Sequence, residues 1–202
     1  MLGTICWMPF HIGHIPAHKG KRTVTTPIKE YSKVQDVKAK LRHDKRALAL
    51  FTLGCNTAFR AGDMLRLTRD QITLQEDGRY EIVTVEQKTQ KLRRIMLNAP
   101  TSKILHEHIE SSGGTYVFEG QRGKMSVSYL RRLIKEWCAE AGVDGHIATH
   151  TMRKSFVRLN YEHFGAPLAV LMRALGHSSE KQTLDYVGML PKDIERLYEN
   201  SI

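Results

Sequence analysis

Six side chains in this sequence could act together on a phosphodiester. The segment "NTAFRAGDMLRL" carries Arg60 and, three residues on, Asp63, a spacing that on a helix lets both side chains share one face. An arginine oriented by a neighbouring carboxylate is set to fork two phosphate oxygens. "VEQKTQK" puts Lys88 where a polar turn would let a long ammonium side chain reach over a ligand, and "HTMR" pairs His150 with Arg153 at the same helical spacing. In "ALGHSSEKQTLDYVGM", His177 and Tyr186 stand nine positions apart (186 − 177) around a polar, helix-opening run. The set amounts to two guanidiniums, two imidazoles, one ammonium and one phenol. Alone, each has a plainer reading: a helical tyrosine is usually packing, and Arg60 with Asp63 could be a surface ion pair contributing under about 1 kcal/mol.

These residues need a scaffold, and hydrophobic periodicity supplies one. Between Lys33 and Gly54, Val34, Val37, Leu41, Leu48, Leu50, Phe51 and Leu53 recur at helical spacing, with Gly54 and Asn56 suited to a helix end. A short helix is expected over 61–67. An Asp77-Gly78 turn, a β-branched run from Tyr80 to Val85 and a second run from Arg93 to Leu97 predict a small antiparallel sheet with Lys88 in its turn. Further helices are expected from Pro100 to Glu110, from Ser126 to Ala141, over 150–163, from Pro167 to Leu175, through Tyr186, and from Pro191. Residues 1–32 lack sustained periodicity and carry the basic cluster Lys19, Lys21, Arg22; they read as an arm or remnant. The fold class is therefore mostly α with a small antiparallel β-sheet (α+β), one domain over 33–202.

Composition bounds the function. The 202 residues hold 31 Lys+Arg against 21 Asp+Glu, a net charge of +10 that favours a polyanionic partner such as nucleic acid. Cys6, Cys55 and Cys138 are too scattered for a disulfide framework or a zinc knuckle, which points to a reducing cytoplasm. No apolar run approaches the roughly 20 residues that span a bilayer, and "MLGTICWMPF" lacks the basic start of a secretory signal. His146 and His150 are spaced like helical zinc ligands, but Gly145 and the intervening "IAT" favour a loop and no third ligand is evident; His11, His14 and His18 read as a solvated arm. No metal site and no cofactor site is expected.

The order and spacing of Arg60 with an acidic residue at +3, Lys88 in a hairpin turn, His150-x-x-Arg153, Leu175-Gly176-His177-Ser178 and Tyr186 resemble the tyrosine recombinases, the phage integrase and Xer-type family, over about residues 33–202. The resemblance implies that family's catalytic-domain fold and a site-specific recombinase or integrase that cleaves and rejoins double-stranded DNA through a 3′-phosphotyrosyl intermediate. It implies Tyr186 as nucleophile, Arg60 and Arg153 as clamps on the phosphoryl oxygens, and Lys88 as proton donor to the departing 5′ oxygen. His150 is the candidate for proton removal, with His177 bonding a non-bridging oxygen. Asp63, one methylene shorter than the glutamate more often found there, would support Arg60. Lys91 rivals Lys88, which "QKT" after the strand favours. The resemblance further implies a homo-oligomer on DNA, a tetramer on two sites, with accessory DNA-bending proteins possible partners, no membrane, and a bacterial cytoplasmic, nucleoid-associated location. It also implies a separate N-terminal DNA-clamping domain, for which the 32-residue extension is too short. A type IB topoisomerase-like or telomere-resolving enzyme shares the tyrosine chemistry, and a non-catalytic DNA-binding relic is the non-enzymatic alternative.

Overall fold

The computed structural model describes residues 24–120 and 123–188. Along this stretch run α1 (Tyr31–Leu41), α2 (Lys45–Thr57), α3 (Ala61–Met64), β1 (Ile72–Leu74), β2 (Tyr80–Val85), β3 (Leu92–Met96), α4 (Ala99–Glu110), β4 (Glu119–Gly120), β5 (Gly123–Lys124), α5 (Val127–Glu140), α6 (His150–Glu162), α7 (Leu168–Leu175) and α8 (Glu180–Val187). The mixed, mainly helical class is as expected. Residues 1–23, Cys6, and the helix expected from Pro191 lie outside the described residues.

The periodic stretch from Lys33 is two helices. It breaks at Asp44, whose carboxylate accepts from the Ala47 amide at 2.9 Å and opens α2 afresh. Gly54 lies inside α2 because α6 crosses there: a Cβ at Gly54 would stand 2.5 Å from Met152 Sδ. The helix ends instead at Ala58, in the left-handed region (φ 54°). Asn98 and Ser126 cap α4 and α5 through their side chains.

The three-stranded antiparallel sheet has the order β1-β2-β3, with Ile82 facing Ile72 on one side and Ile95 on the other. Tyr80, Ile82 and Thr84 alternate inward along β2, and the same period carries Glu86 inward just past the strand end. The main core gathers α1, α2, α4, α5 and the inner face of this sheet. A smaller cluster of Ala58, Val157, Leu171, Leu175 and Val187 seats α7 and α8 on α6.

Packing starts ahead of the boundary expected at residue 33. The Thr26 amide donates to the His146 carbonyl, the Thr151 hydroxyl to the Thr26 carbonyl and the Ile28 amide to Ser155 Oγ, while the Ile28 side chain is buried. Residues 24–30 are thus stitched to α6 and the loop before it.

Candidate active site

The site lies where the C-terminal ends of α2 and α7 meet the start of α6. The last carbonyls of a helix lack intrahelical partners and carry partial negative charge, so buried cations are stabilised there. Two arginines occupy that position. Arg153, only 1% exposed, donates through Nη1 to the Ala58 carbonyl and through Nη2 to the Leu175 carbonyl at 2.9 Å. Arg93 on β3 donates through Nη2 to the carbonyls of Thr57 (2.7 Å) and Ala174 (3.0 Å), and lies over the Phe59 ring. Together they staple the end of α2 to the end of α7.

Arg60 is the residue before α3, and its place is set by a carboxylate that the sequence did not single out. Glu86 Oε2 accepts from Arg60 Nη1 at 2.8 Å, and Glu86 Oε1 accepts from Arg93 Nη1 at 3.1 Å. Asp63, expected to hold Arg60, stands 3.8 Å away with Oδ2; its Oδ1 instead accepts from the Gln87 amide at 3.1 Å, anchoring the hairpin turn. The Asp63 support is thus the weaker of the two, for a simple reason. Arg60 precedes the helix, so the i, i+3 pairing is loose, whereas Glu86 arrives from the sheet with both oxygens facing guanidiniums. Burial would raise the Glu86 carboxyl, but hydrogen bonds from Arg60 and Thr89 and the charges of Arg60 and Arg93 outweigh it and hold it below the ordinary carboxylate range. A period-2 reading carried one step past Val85 would have marked Glu86 as an inward-facing charge in need of a partner. Glu86→Gln should lower unfolding free energy by about 2 kcal/mol, because it leaves two partly buried guanidiniums short of an anion. Chemical denaturation of the two proteins checks this; equal stability would mean that Arg60 and Arg93 are not held by Glu86.

Lys88 is exposed in the hairpin turn, flanked by Gln87 and two residues from Glu86; Lys91 is exposed too. His150 opens α6 with an exposed side chain. Its imidazole is held below the ordinary range by burial of part of the ring, then by Arg153, Lys154 and Arg60. At α7's end, Gly176 takes the left-handed conformation (φ 67°), and the His177 amide bonds back to the Met172 carbonyl, turning the chain so that His177 faces α8. His177 Nδ1 lies 3.0 Å from the hydroxyl of buried Thr183. Its titration is likewise lowered, by burial and then by Arg153 and Arg60.

Tyr186 sits in α8 with its ring half-buried, edge-to-face on His177 at 5.0 Å between centroids. The Arg153 guanidinium is 5.8 Å and the Lys154 ammonium 5.6 Å from the ring centre. His177, Arg153 and Tyr186 are therefore in contact, Arg60 and Arg153 act electrostatically on both His150 and His177, and Lys88 lies in the turn that Asp63 anchors. Glu86, Arg93 and Lys154 are the residues that sequence reasoning missed.

This fold is that of the tyrosine recombinase catalytic domain. A crystal structure of XerA recombinase superposes with a TM-score of 0.72 at 18% identity, covering 92% of this chain and 66% of that one. XerH in a post-cleavage complex with palindromic difH substrate superposes at 0.71 and 21% identity, covering 87% and 53%. Residues 18–192 match the phage integrase family, and the chain belongs to it. It is 30% identical to the probable integrase/recombinase YoeC of Bacillus subtilis over 170 residues, 82% of this chain and 91% of that protein. It is 26% identical to the tyrosine recombinase XerC of Neisseria meningitidis, covering 76% of this chain but 50% of XerC.

Proposed function

We propose that this chain is a site-specific DNA recombinase or integrase in which Tyr186 forms a 3′-phosphotyrosyl link. The observation that carries the reading is the placement of the Tyr186 ring against His177 and the buried Arg153. A phenol titrates near pH 10, so its attack needs a proton acceptor. His150 fills that role: its lowered titration keeps it neutral at pH 7. The Tyr186 oxygen bonds to phosphorus as the bond to the 5′ oxygen breaks, Lys88 donates a proton to that oxygen, and a second 5′ hydroxyl reverses the step on a new strand. Energy of the phosphodiester is kept in the covalent link. Arg60 and Arg153 stabilise charge on the phosphoryl oxygens, and the buried Arg153 Nε, without an acceptor among the described residues, is a donor that a phosphate would satisfy. His177 donates from Nε2 when Thr183 donates to Nδ1.

The partner is double-stranded DNA, as the net charge of +10 favours and as the difH complex of XerH illustrates for that relative. Assembly follows as a homo-oligomer on DNA, a tetramer on two sites; accessory DNA-bending proteins, a cytoplasmic, nucleoid-associated location and an N-terminal arm complete the proposal. No described helix is long and apolar enough to cross a membrane.

The test is a pool of randomised duplexes, each nicked so that the strand beyond the cleaved phosphate is lost. A covalent adduct that forms in EDTA and is enriched for one sequence supports the reading; binding without adduct contradicts it. On the recovered duplex, Lys88→Ala should slow cleavage by about 10²-fold or more, and a bridging 5′-phosphorothiolate, whose leaving group needs no proton, should restore it. Rescue of Lys91→Ala instead would transfer the role. The rate of adduct formation should also fall on the acid side with a midpoint below the ordinary histidine value of about 6.5, since protonation of His150 removes its acceptor and burial beside cations pushes that protonation to lower pH. A midpoint above that value, or one unchanged in His150→Gln, would rule out His150 as the base.

A further inference from the structure

We propose that Lys154 and Arg158 form a two-cation latch that holds the tyrosine-bearing helix in position from the neighbouring helix. The inference rests on the reading of Tyr186 as nucleophile. α8 is eight residues long, too short to persist as an isolated helix in water. It buries only Thr183 and Val187, and it has no basic residue in its own last turn to answer the negative end of its dipole. The missing cations come from α6. Lys154, 8% exposed, donates to the Asp185 carbonyl at 3.3 Å. One turn on, Arg158 donates through Nη1 to the carbonyls of Val187 (2.7 Å) and Gly188 (3.1 Å), while its Nη2 is held by Glu162 at 2.5 Å.

The three carbonyls so engaged bracket Tyr186. With Asp185 tied on one side and Val187 and Gly188 on the other, the backbone that carries the phenol cannot rotate without breaking charge-assisted hydrogen bonds. The latch also sets direction. Lys154 and Arg158 are four residues apart, on one face of α6, and Lys154 directly follows Arg153. One helix therefore orients both the clamp on the phosphate and the group that attacks it. Lys154 also lies 5.6 Å from the Tyr186 ring centre, so its ammonium favours the ring where it now stands. Burial lowers the Lys154 ammonium, opposed by Asp185. These are positioning residues: neither has to touch DNA.

The experiment uses the full chain and the nicked duplex recovered by adduct formation, with Lys154→Met, Lys154→Arg and Arg158→Met. A misplaced nucleophile costs up to about 10²-fold in rate. Lys154→Met and Arg158→Met are therefore expected to form adduct about 10- to 10²-fold more slowly at saturating DNA, with half-saturation changed by less than about twofold, and Lys154→Arg to recover most of the rate. Amide hydrogen exchange should quicken in 180–188 while α2 and α5 keep their protection. Wild-type cleavage rates in both Met variants overturn the latch, as does loss of protection throughout the domain with no recovery in Lys154→Arg. Failure of the wild-type chain to form any adduct would instead overturn the functional reading on which the latch rests.

Discussion

Tyr186→Phe is expected to bind the recovered duplex as the parent does and to form no covalent adduct, a loss on the order of 10⁴-fold or more, because the bond-forming oxygen is gone. Binding should survive for a structural reason. The ring itself, packed on His177 and facing Arg153, makes the contacts seen in this region, and no hydrogen bond from the phenol to a described residue holds α8 in place. Thermal unfolding should consequently shift little. Adduct formed by the Phe variant at a rate within tenfold of the parent would mean that a different side chain attacks.

Arg153→Lys carries the second largest effect, and it differs in kind. Here a single guanidinium joins the end of α2, through Ala58, to the end of α7, through Leu175, and then faces the tyrosine. Ala58 adopts a left-handed backbone that a residue with a Cβ enters at some cost, and the bond to its carbonyl helps to hold that turn. A lysine keeps the charge but cannot fork two carbonyls while presenting a third donor to a phosphate. Cleavage should fall by about 10²- to 10³-fold, the range for removing one preorganised donor, and unfolding free energy by about 2 to 3 kcal/mol as buried carbonyls lose their partner. Denaturation and single-turnover cleavage at saturating DNA measure the two losses separately. A variant with normal stability and cleavage would show that the buried guanidinium is dispensable.

The sequence disclosed what is local. His150-x-x-Arg153 lies within one turn of α6, the hairpin around Lys88 is bounded by its own alternation, and the Gly176 turn that launches His177 is written in the glycine. What stayed hidden is long-range. Glu86 serves Arg60 from 26 positions away, and Arg93 reaches the Ala174 carbonyl across 81, so no window on the chain shows either pairing. Spacing and the resemblance put Asp63 beside Arg60, where it stands at 3.8 Å, but the closer contact to Arg60 comes from a carboxylate just past the strand β2. Gly54 looked like a helix end because local propensity speaks only of conformation, whereas its real constraint is Met152 from α6. β1, with three residues, and β4 and β5, with two each, are too short for periodicity to register. Lys154 stands in the sequence beside a more conspicuous arginine, and only its depth beside α8 gives it meaning.

The atom expected to take up the phosphate is the oxygen of residue 186. Peptide mapping by mass spectrometry of the covalent complex, trapped on the nicked duplex in EDTA and digested to a nucleotide stub, reads this directly. A single modified peptide is expected, spanning the segment around "TLDYVGM", with the stub on Tyr186 through a 3′-phosphate. A stub on any other residue, or one attached through a 5′-phosphate, would contradict it.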